Sequence, residues 1–261
     1  MQNTISIQDH LAKLYAIWLR EFKVFLRERS RLVASTFTPI LWLFVIGSGL
    51  GSAATPSMLP SGVDYQQFIF PGIVSMSIIF TSVFYGSYII WDRKFDFLKS
   101  VMVAPVSRAT VFVGKTLGGM TNSLIQAAIL LAIGVTIGIP FTPLSLAQAV
   151  AVVLLMSFGL TSLGLALGSY MYSLEGFQMI VSFVVFPLFF LSGALFPLDN
   201  LPAWLSVLTA ADPVTYGVDA LRNLMLGTGT YGVELDLVIL VGYTAALGLF
   251  GIYSFGRMKA V

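Results

Sequence analysis

Residues 116–174 read TLGGMTNSLIQAAILLAIGVTIGIPFTPLSLAQAVAVVLLMSFGLTSLGLALGSYMYSL, with no Asp, Glu, Lys, Arg or His anywhere in the stretch. A run of roughly 20 apolar residues crosses a hydrocarbon core about 30 Å thick. This stretch is too long for one crossing and long enough for two. Gly138, Pro140 and Pro143 supply the turn that divides it, giving crossings near 116–137 and 146–170.

The same reading applied outward finds uncharged runs at Leu32 to Val63, where the crossing is expected to end near Leu50, and at Tyr65 to Trp91, best read as a helix from Phe68. Gly176 to Leu198 and Leu237 to Gly256 complete a set of six. Composition agrees: 57% of the 261 residues are hydrophobic and 10% are charged, whereas soluble domains are about 45–50% apolar and about 25% charged. The fold class expected is an all-α membrane protein with six transmembrane helices in one transmembrane domain, residues 32–261, preceded by a cytoplasmic segment, residues 1–31.

Cysteine is absent, which excludes disulfides and thiolate metal sites, and the single histidine, His10, precedes the first crossing. Neither a metal nor a cofactor is expected on this chain. A long charged segment stands before the first apolar run, unlike the short basic region of a cleavable signal, so the N-terminus is expected to be retained. Lys and Arg favour the cytoplasmic side. Thirteen of the fourteen fall before the first crossing, between the second and third, or after the sixth. Both termini are therefore expected in the cytoplasm of a bacterial or archaeal plasma membrane. Arg222 is the exception, in an otherwise acidic loop carrying Asp199, Asp212, Asp219, Glu234 and Asp236.

Before the first crossing, Leu11, Leu14, Tyr15, Trp18, Phe22 and Phe25 recur as one helical face, with Lys13, Arg20 and Arg27 elsewhere around it. An amphipathic helix in the membrane interface is expected; a solvated basic tail would leave Trp18 and two phenylalanines in water. Gly114-Lys115-Thr116 imitates the end of a phosphate-binding loop, but Ala109 stands where its first glycine belongs and Val111, Phe112 and Val113 fill the loop. Lys115 reads instead as an interfacial lysine at the start of the third crossing. Glycines four apart, such as Gly114 with Gly118 and Gly164 with Gly168, let helices approach closely, though chance pairs are expected among 24 glycines. Pro39 and Pro187 interrupt helical hydrogen bonding and predict kinks.

Two connecting stretches carry more information. The first, residues 91–115, reads WDRKFDFLKSVMVAPVSRATVFVGK, in which Phe95, Leu98 and Met102 recur at helical spacing and Pro105 marks a stop. On periodicity alone a short amphipathic helix and a plain connector are equally compatible. The second, residues 186–224, reads FPLFFLSGALFPLDNLPAWLSVLTAADPVTYGVDALRNL, cut into short helical pieces by Pro197, Pro202 and Pro213. Irregular backbone at membrane depth is tolerated only when packed in protein or lining a cavity, and a re-entrant helical cap meets that constraint. Asp219 and Arg222, three apart, are spaced to pair on one face.

These stretches closely resemble the membrane subunits of type-2 ABC exporters, which export drugs, polysaccharides and lipo-oligosaccharides. The resemblance rests on Ser192, Gly193, Phe196, Pro197, Leu201, Pro202, Trp204, Asp212, Pro213, Thr215, Tyr216, Leu221 and Arg222, and on Ala104 to Arg108 with Gly114 and Lys115. The chain departs from many members at Lys94, where they carry an acidic residue. The resemblance implies a coupling helix between crossings two and three, carried by Phe95, Leu98, Met102, Pro105 and Arg108. It also implies an external re-entrant hairpin before crossing six, carried by Gly193, Phe196, Pro197, Pro202, Trp204, Pro213, Tyr216 and Arg222. Implied partners are two ABC ATPase subunits, which would bind ATP and Mg, and a second permease chain, identical or related. The competing readings are an ion-coupled secondary carrier, which usually needs acidic residues inside its spans, and a membrane enzyme, which needs a base or metal ligands at the bilayer.

Overall fold

The computed structural model describes residues 7–52, 59, 62–98, 106–199 and 201–258, all helical or connecting, with no strand among them. Helix α1 (Ile7–Arg27) precedes the spans. The first span contains α2 (Arg29–Leu41), a π-helical turn (Trp42–Ile46) and α3 (Gly47–Gly51). The second contains α4 (Tyr65–Phe84) and α5 (Ser87–Lys94). Spans three, four and five are α6 (Arg108–Thr136), α7 (Pro143–Tyr170) and α8 (Leu174–Leu191). Two short helices follow, α9 (Ala203–Ala211) and α10 (Pro213–Leu226), and α11 (Val233–Arg257) is the sixth span. Among the described residues, six helices are therefore long and apolar enough to cross a membrane.

Local chemistry sets the helix ends. The Asp64 carboxylate and the Gln67 side chain form a capping box at the start of α4, which moves that start upstream of Phe68 to Tyr65. Ser107, Thr142 and Ser173 each accept a backbone N–H at the starts of α6, α7 and α8. The turn between spans three and four has Gly138 at φ 82°, a left-handed conformation that costs glycine little. Span five ends at Leu191, short of the expected Leu198, because Gly193 turns left-handed at φ 68°. The π turn directly follows Pro39, whose missing N–H already interrupts the ladder.

Span two lies at the centre, packed by spans three, four and five and by α10, and span six lies along span four. The tightest crossing is made by backbone. A Cβ on Gly86 would stand 1.9 Å from the carbonyl oxygen of Gly164, one on Gly164 would stand 2.3 Å from that of Val83, and one on Gly168 would stand 2.3 Å from that of Gly86. The Gly164 and Gly168 pair is thus spent inside the subunit. Gly114 and Gly118 do the same for α1, whose Ile17 and Glu21 side chains fill the space their missing Cβ atoms leave.

Spans two and three are also joined by polar groups, as apolar lipid requires of any buried donor. The Gln126 Oε1 accepts from the hydroxyls of Ser77 and Thr81, and the Ser82 and Ser123 hydroxyls share a hydrogen bond of 2.8 Å.

Replacing Gly164 tests the backbone crossing. Gly164→Ala is expected to lower the Tm of the detergent-purified protein by the equivalent of about 1 to 3 kcal/mol, and Gly164→Leu to abolish recovery of folded protein. Gly242→Ala, where nothing lies within 4 Å of the new Cβ, should leave Tm unchanged. Equal behaviour of the two alanine variants would refute the crossing.

Candidate functional site

The site begins with a lysine that has no exposed surface. Lys115 lies seven residues inside α6, which starts at Arg108 rather than near 116, and its ammonium sits between two carboxylates. Its Nζ donates to Glu21 Oε1 of α1 at 2.9 Å and to Asp92 Oδ2 of α5. Arg20 closes the group, 2.6 Å from Glu21 and 2.7 Å from Asp92. Two cations and two anions balance, which is the condition for holding charge out of water.

Aromatic residues seal the cluster. The Tyr85 hydroxyl donates to Glu21 Oε2 at 2.6 Å, the Tyr88 hydroxyl donates to Glu28, and the Phe97 ring lies 3.7 Å from the Arg20 guanidinium. Burial alone would push the Glu21 carboxyl up, but Lys115 and Arg20, with the Tyr85 hydroxyl, outweigh it and hold it down to about 2. The cluster binds α1, the end of span two and the start of span three into one body. Trp18 adds a hydrogen bond of 2.9 Å from its indole N–H to Thr121.

The connector beside this cluster departs from expectation. α5 ends at Lys94, and Asp96 takes a left-handed φ of 56°, so no single helix runs from Asp92 through Leu98. Phe95 is 72% exposed and stacks on Trp91 at 5.7 Å, whereas Leu98 is 4% exposed and packs with Tyr85, Tyr88, Phe112 and Phe255. The helical spacing of Phe95 and Leu98 therefore does not put them on one face, which is a correction: Leu98 anchors the connector inward. Met102 and Pro105 lie outside the described residues. Arg108 donates to the carbonyls of Gly256 and Met258 at 2.6 and 3.0 Å, tying the start of span three to the end of span six.

At the opposite end, the 192–222 stretch forms a hydrogen-bonded corner. Asp212 caps α10, with Pro213 in the first turn. The Thr215 hydroxyl donates to the Thr209 carbonyl at 2.7 Å and the Tyr216 hydroxyl to the Ala210 carbonyl at 2.8 Å, which fixes α9 against α10. Burial pushes the Asp212 carboxyl up to about 7, although the Val214 N–H opposes it.

Asp219 and Arg222 do not make the expected pair. Asp219 accepts the backbone N–H groups of Thr230 and Tyr231, while Arg222 donates to the Gly193 carbonyl at 2.8 Å and lies over the Phe68 ring. Gly193 and Arg222, far apart in sequence, are thus one contact. Phe196 and Pro197 are half-buried, Pro202 is exposed at the start of α9, and Trp204 is 66% exposed on its surface.

The Arg20, Glu21 and Asp92 partnership was not anticipated from sequence. One signal was present: Glu21 lies three residues after Trp18 and four before Phe25, on the apolar face of α1.

Six membrane-length helices with two hydrogen-bonded ends and no described cluster of metal-ligating residues define a multi-pass membrane protein. Residues 12–226 match the ABC-2 type transporter family. Over 239 residues the chain is 28% identical to the inner membrane transport permease YadH of Escherichia coli strain K12, covering 90% of this chain and 91% of that one. It is 28% identical over 216 residues to the putative transport permease ycf38 of Cyanophora paradoxa, covering 82% and 74%. It is 24% identical over 231 residues to nodulation protein J of Rhizobium leguminosarum bv. viciae, covering 87% and 88%. The chain belongs to the ABC-2 type transporter family, whose membrane component is a transport subunit and not an enzyme.

Removing Lys115 exposes the cluster's energetics. Lys115→Met is expected to cost about 3 to 5 kcal/mol by leaving buried carboxylates short of a cation, and adding Asp92→Asn should restore part of it. The depressed Glu21 value makes its contribution complete above pH about 4.5 and lost as pH falls toward about 2. Tm measured across that window should fall more steeply for the wild type than for Glu21→Gln. Parallel curves would remove Glu21 from the ion cluster.

Proposed function

We propose that this chain is the permease subunit of an ATP-driven exporter that moves a lipid-like, drug-like or glycolipid substrate out across the plasma membrane. Two permease chains, identical or related, form the path, and a separate ATPase subunit lies under each and binds ATP and Mg. Both termini, α1 and the 95–107 connector are cytoplasmic, and α9 with α10 forms a re-entrant external cap.

The observation that carries this reading is the ion cluster. Lys115, Glu21 and Asp92 lock α1 to both spans that flank the connector, so force applied at the connector moves α1 and spans two and three together. Among the described connector residues, Phe95 is a side chain available to receive it. Its ring, stacked on the partly exposed Trp91 with Lys94 alongside, offers an apolar face for a groove on the ATPase. Family membership and relatives named as transport permeases support the same reading.

Orientation is tested in intact cells with single cysteines, for which this cysteine-free chain is a clean background. Thr142→Cys should label from outside and Ser173→Cys only after permeabilisation; the reverse would invert the topology.

Coupling is tested by contrasting two substitutions in the connector. Phe95→Asp should leave membrane level and Tm unchanged while weakening ATPase co-purification at least tenfold, because an unpaired charge would enter an apolar groove. Leu98→Asp should instead lower Tm, since its side chain is inside this subunit. Undiminished ATPase binding and transport by Phe95→Asp would remove the docking role.

A further inference from the structure

A cavity of about 530 Å³ lies between the first span and spans two, three and five. This falls within the usual size range of small-molecule sites. Its walls are aromatic: Phe80 stacks on Phe84 at 6.0 Å and meets the Phe186 ring edge-on at 5.7 Å, and Trp42 faces them from the first span. Its floor is polar and near the middle of α6, where Asn122 and Gln126 sit one turn apart.

The two amides have different fates. Gln126 is used in joining spans two and three, since its oxygen accepts from Ser77 and Thr81. Asn122 is 5% exposed, and its side-chain oxygen has no donor. An unsatisfied buried acceptor costs about 1 to 3 kcal/mol, and helix joining does not account for this one. None of the described side chains lining the cavity is charged, so a phosphate or carboxylate there would lack a counter-charge. The groove under α1 differs: its floor hydroxyl, Thr121, is already bonded to Trp18.

We propose that this cavity is a substrate site within one subunit for an uncharged amphiphile, whose hydroxyl or amide N–H donates to the Asn122 carbonyl while its apolar part lies against Phe80, Phe84 and Phe186. The proposal rests on the permease reading and narrows it, excluding anionic lipids and acidic glycans from this site. The wall helix is suited to admitting such a molecule. Pro39 and the π turn at Trp42 both fall on the first span where it borders the cavity, and π turns and proline interruptions are local departures from the regular ladder.

The test uses the full-length permease in phosphatidylcholine nanodiscs with three probes of identical tail and fluorophore: a monoacylglycerol with free hydroxyls, its di-O-methyl ether and its phosphate ester. The free-hydroxyl probe is expected to bind about tenfold more tightly than either of the others, the scale of one hydrogen bond. Asn122→Leu should reduce it to the affinity of the methyl ether. Equal binding of all three would show that only an acyl chain or water fills the cavity and would overturn the proposal. So would tightest binding of the phosphate ester, or a hydroxyl preference that survives Asn122→Leu. Binding here needs no ATPase, so failure of the probes leaves the permease reading intact, whereas loss of ATPase co-purification with the preference retained would count against that reading alone.

Discussion

Gly86 and Gly164 approach so closely that either Cβ would enter the other helix's backbone, and this contact sets the positions of everything near one end of the bundle. It occurs where α4 gives way to α5, so span two changes its path while still enclosed by its neighbours. Tyr85 and Tyr88 flank the crossing, and Asp92 follows one turn later. Because the crossing is backbone on backbone, no side chain can swell to loosen it. The hydroxyls of Tyr85 and Tyr88 and the carboxylate of Asp92 therefore arrive at fixed positions, where α1 and Lys115 meet them.

The ion cluster is the electrostatic consequence of that placement. A lysine with no exposure inside a spanning helix is held by balanced partners from two other elements, and its removal leaves more cost than its presence brings stability. Such a joint favours one geometry over others more than it strengthens the fold. Arg108, reaching the carbonyls of Gly256 and Met258, extends it to span six. The first, fifth and sixth spans by contrast leave much of their surface uncovered. The subunit thus combines a stiff centre with three loosely covered spans, and the cavity at Asn122 lies where the first and fifth of these meet that centre.

The six crossings were legible because charge is confined to a few short segments, and lipid tolerates no compromise on that pattern. What remained illegible depended on contacts distant in sequence. Span three begins earlier than its uncharged run because Lys115 is neutralised by Glu21 and Asp92, and no window around Lys115 displays them. Leu98 shares helical spacing with the exposed Phe95, but it is buried in a cluster that includes Phe112 of span three and Phe255 of span six. Asp219 and Arg222 had the right spacing to pair, yet each found a backbone partner elsewhere. Local spacing shows which contacts are possible, and tertiary structure decides among them.

The stretch from Ser192 to Arg222 shows the converse, residues recognisable by resemblance whose physical purpose appears only in three dimensions. Asp212, Thr215 and Tyr216 each satisfy backbone groups at the junction of α9 and α10, and Arg222 satisfies the carbonyl of the left-handed Gly193. Backbone polar groups in such a turn find no water if the turn is in lipid, so each must be answered by the chain itself. The corner is accordingly dense in capping side chains, while α9, which carries its own helical bonds, is free to expose Trp204 and Val207. The same accounting separates Gln126 from Asn122. The Gln126 oxygen is answered from within the subunit, and the Asn122 oxygen, left open on a cavity wall, is the one whose partner has to come from outside.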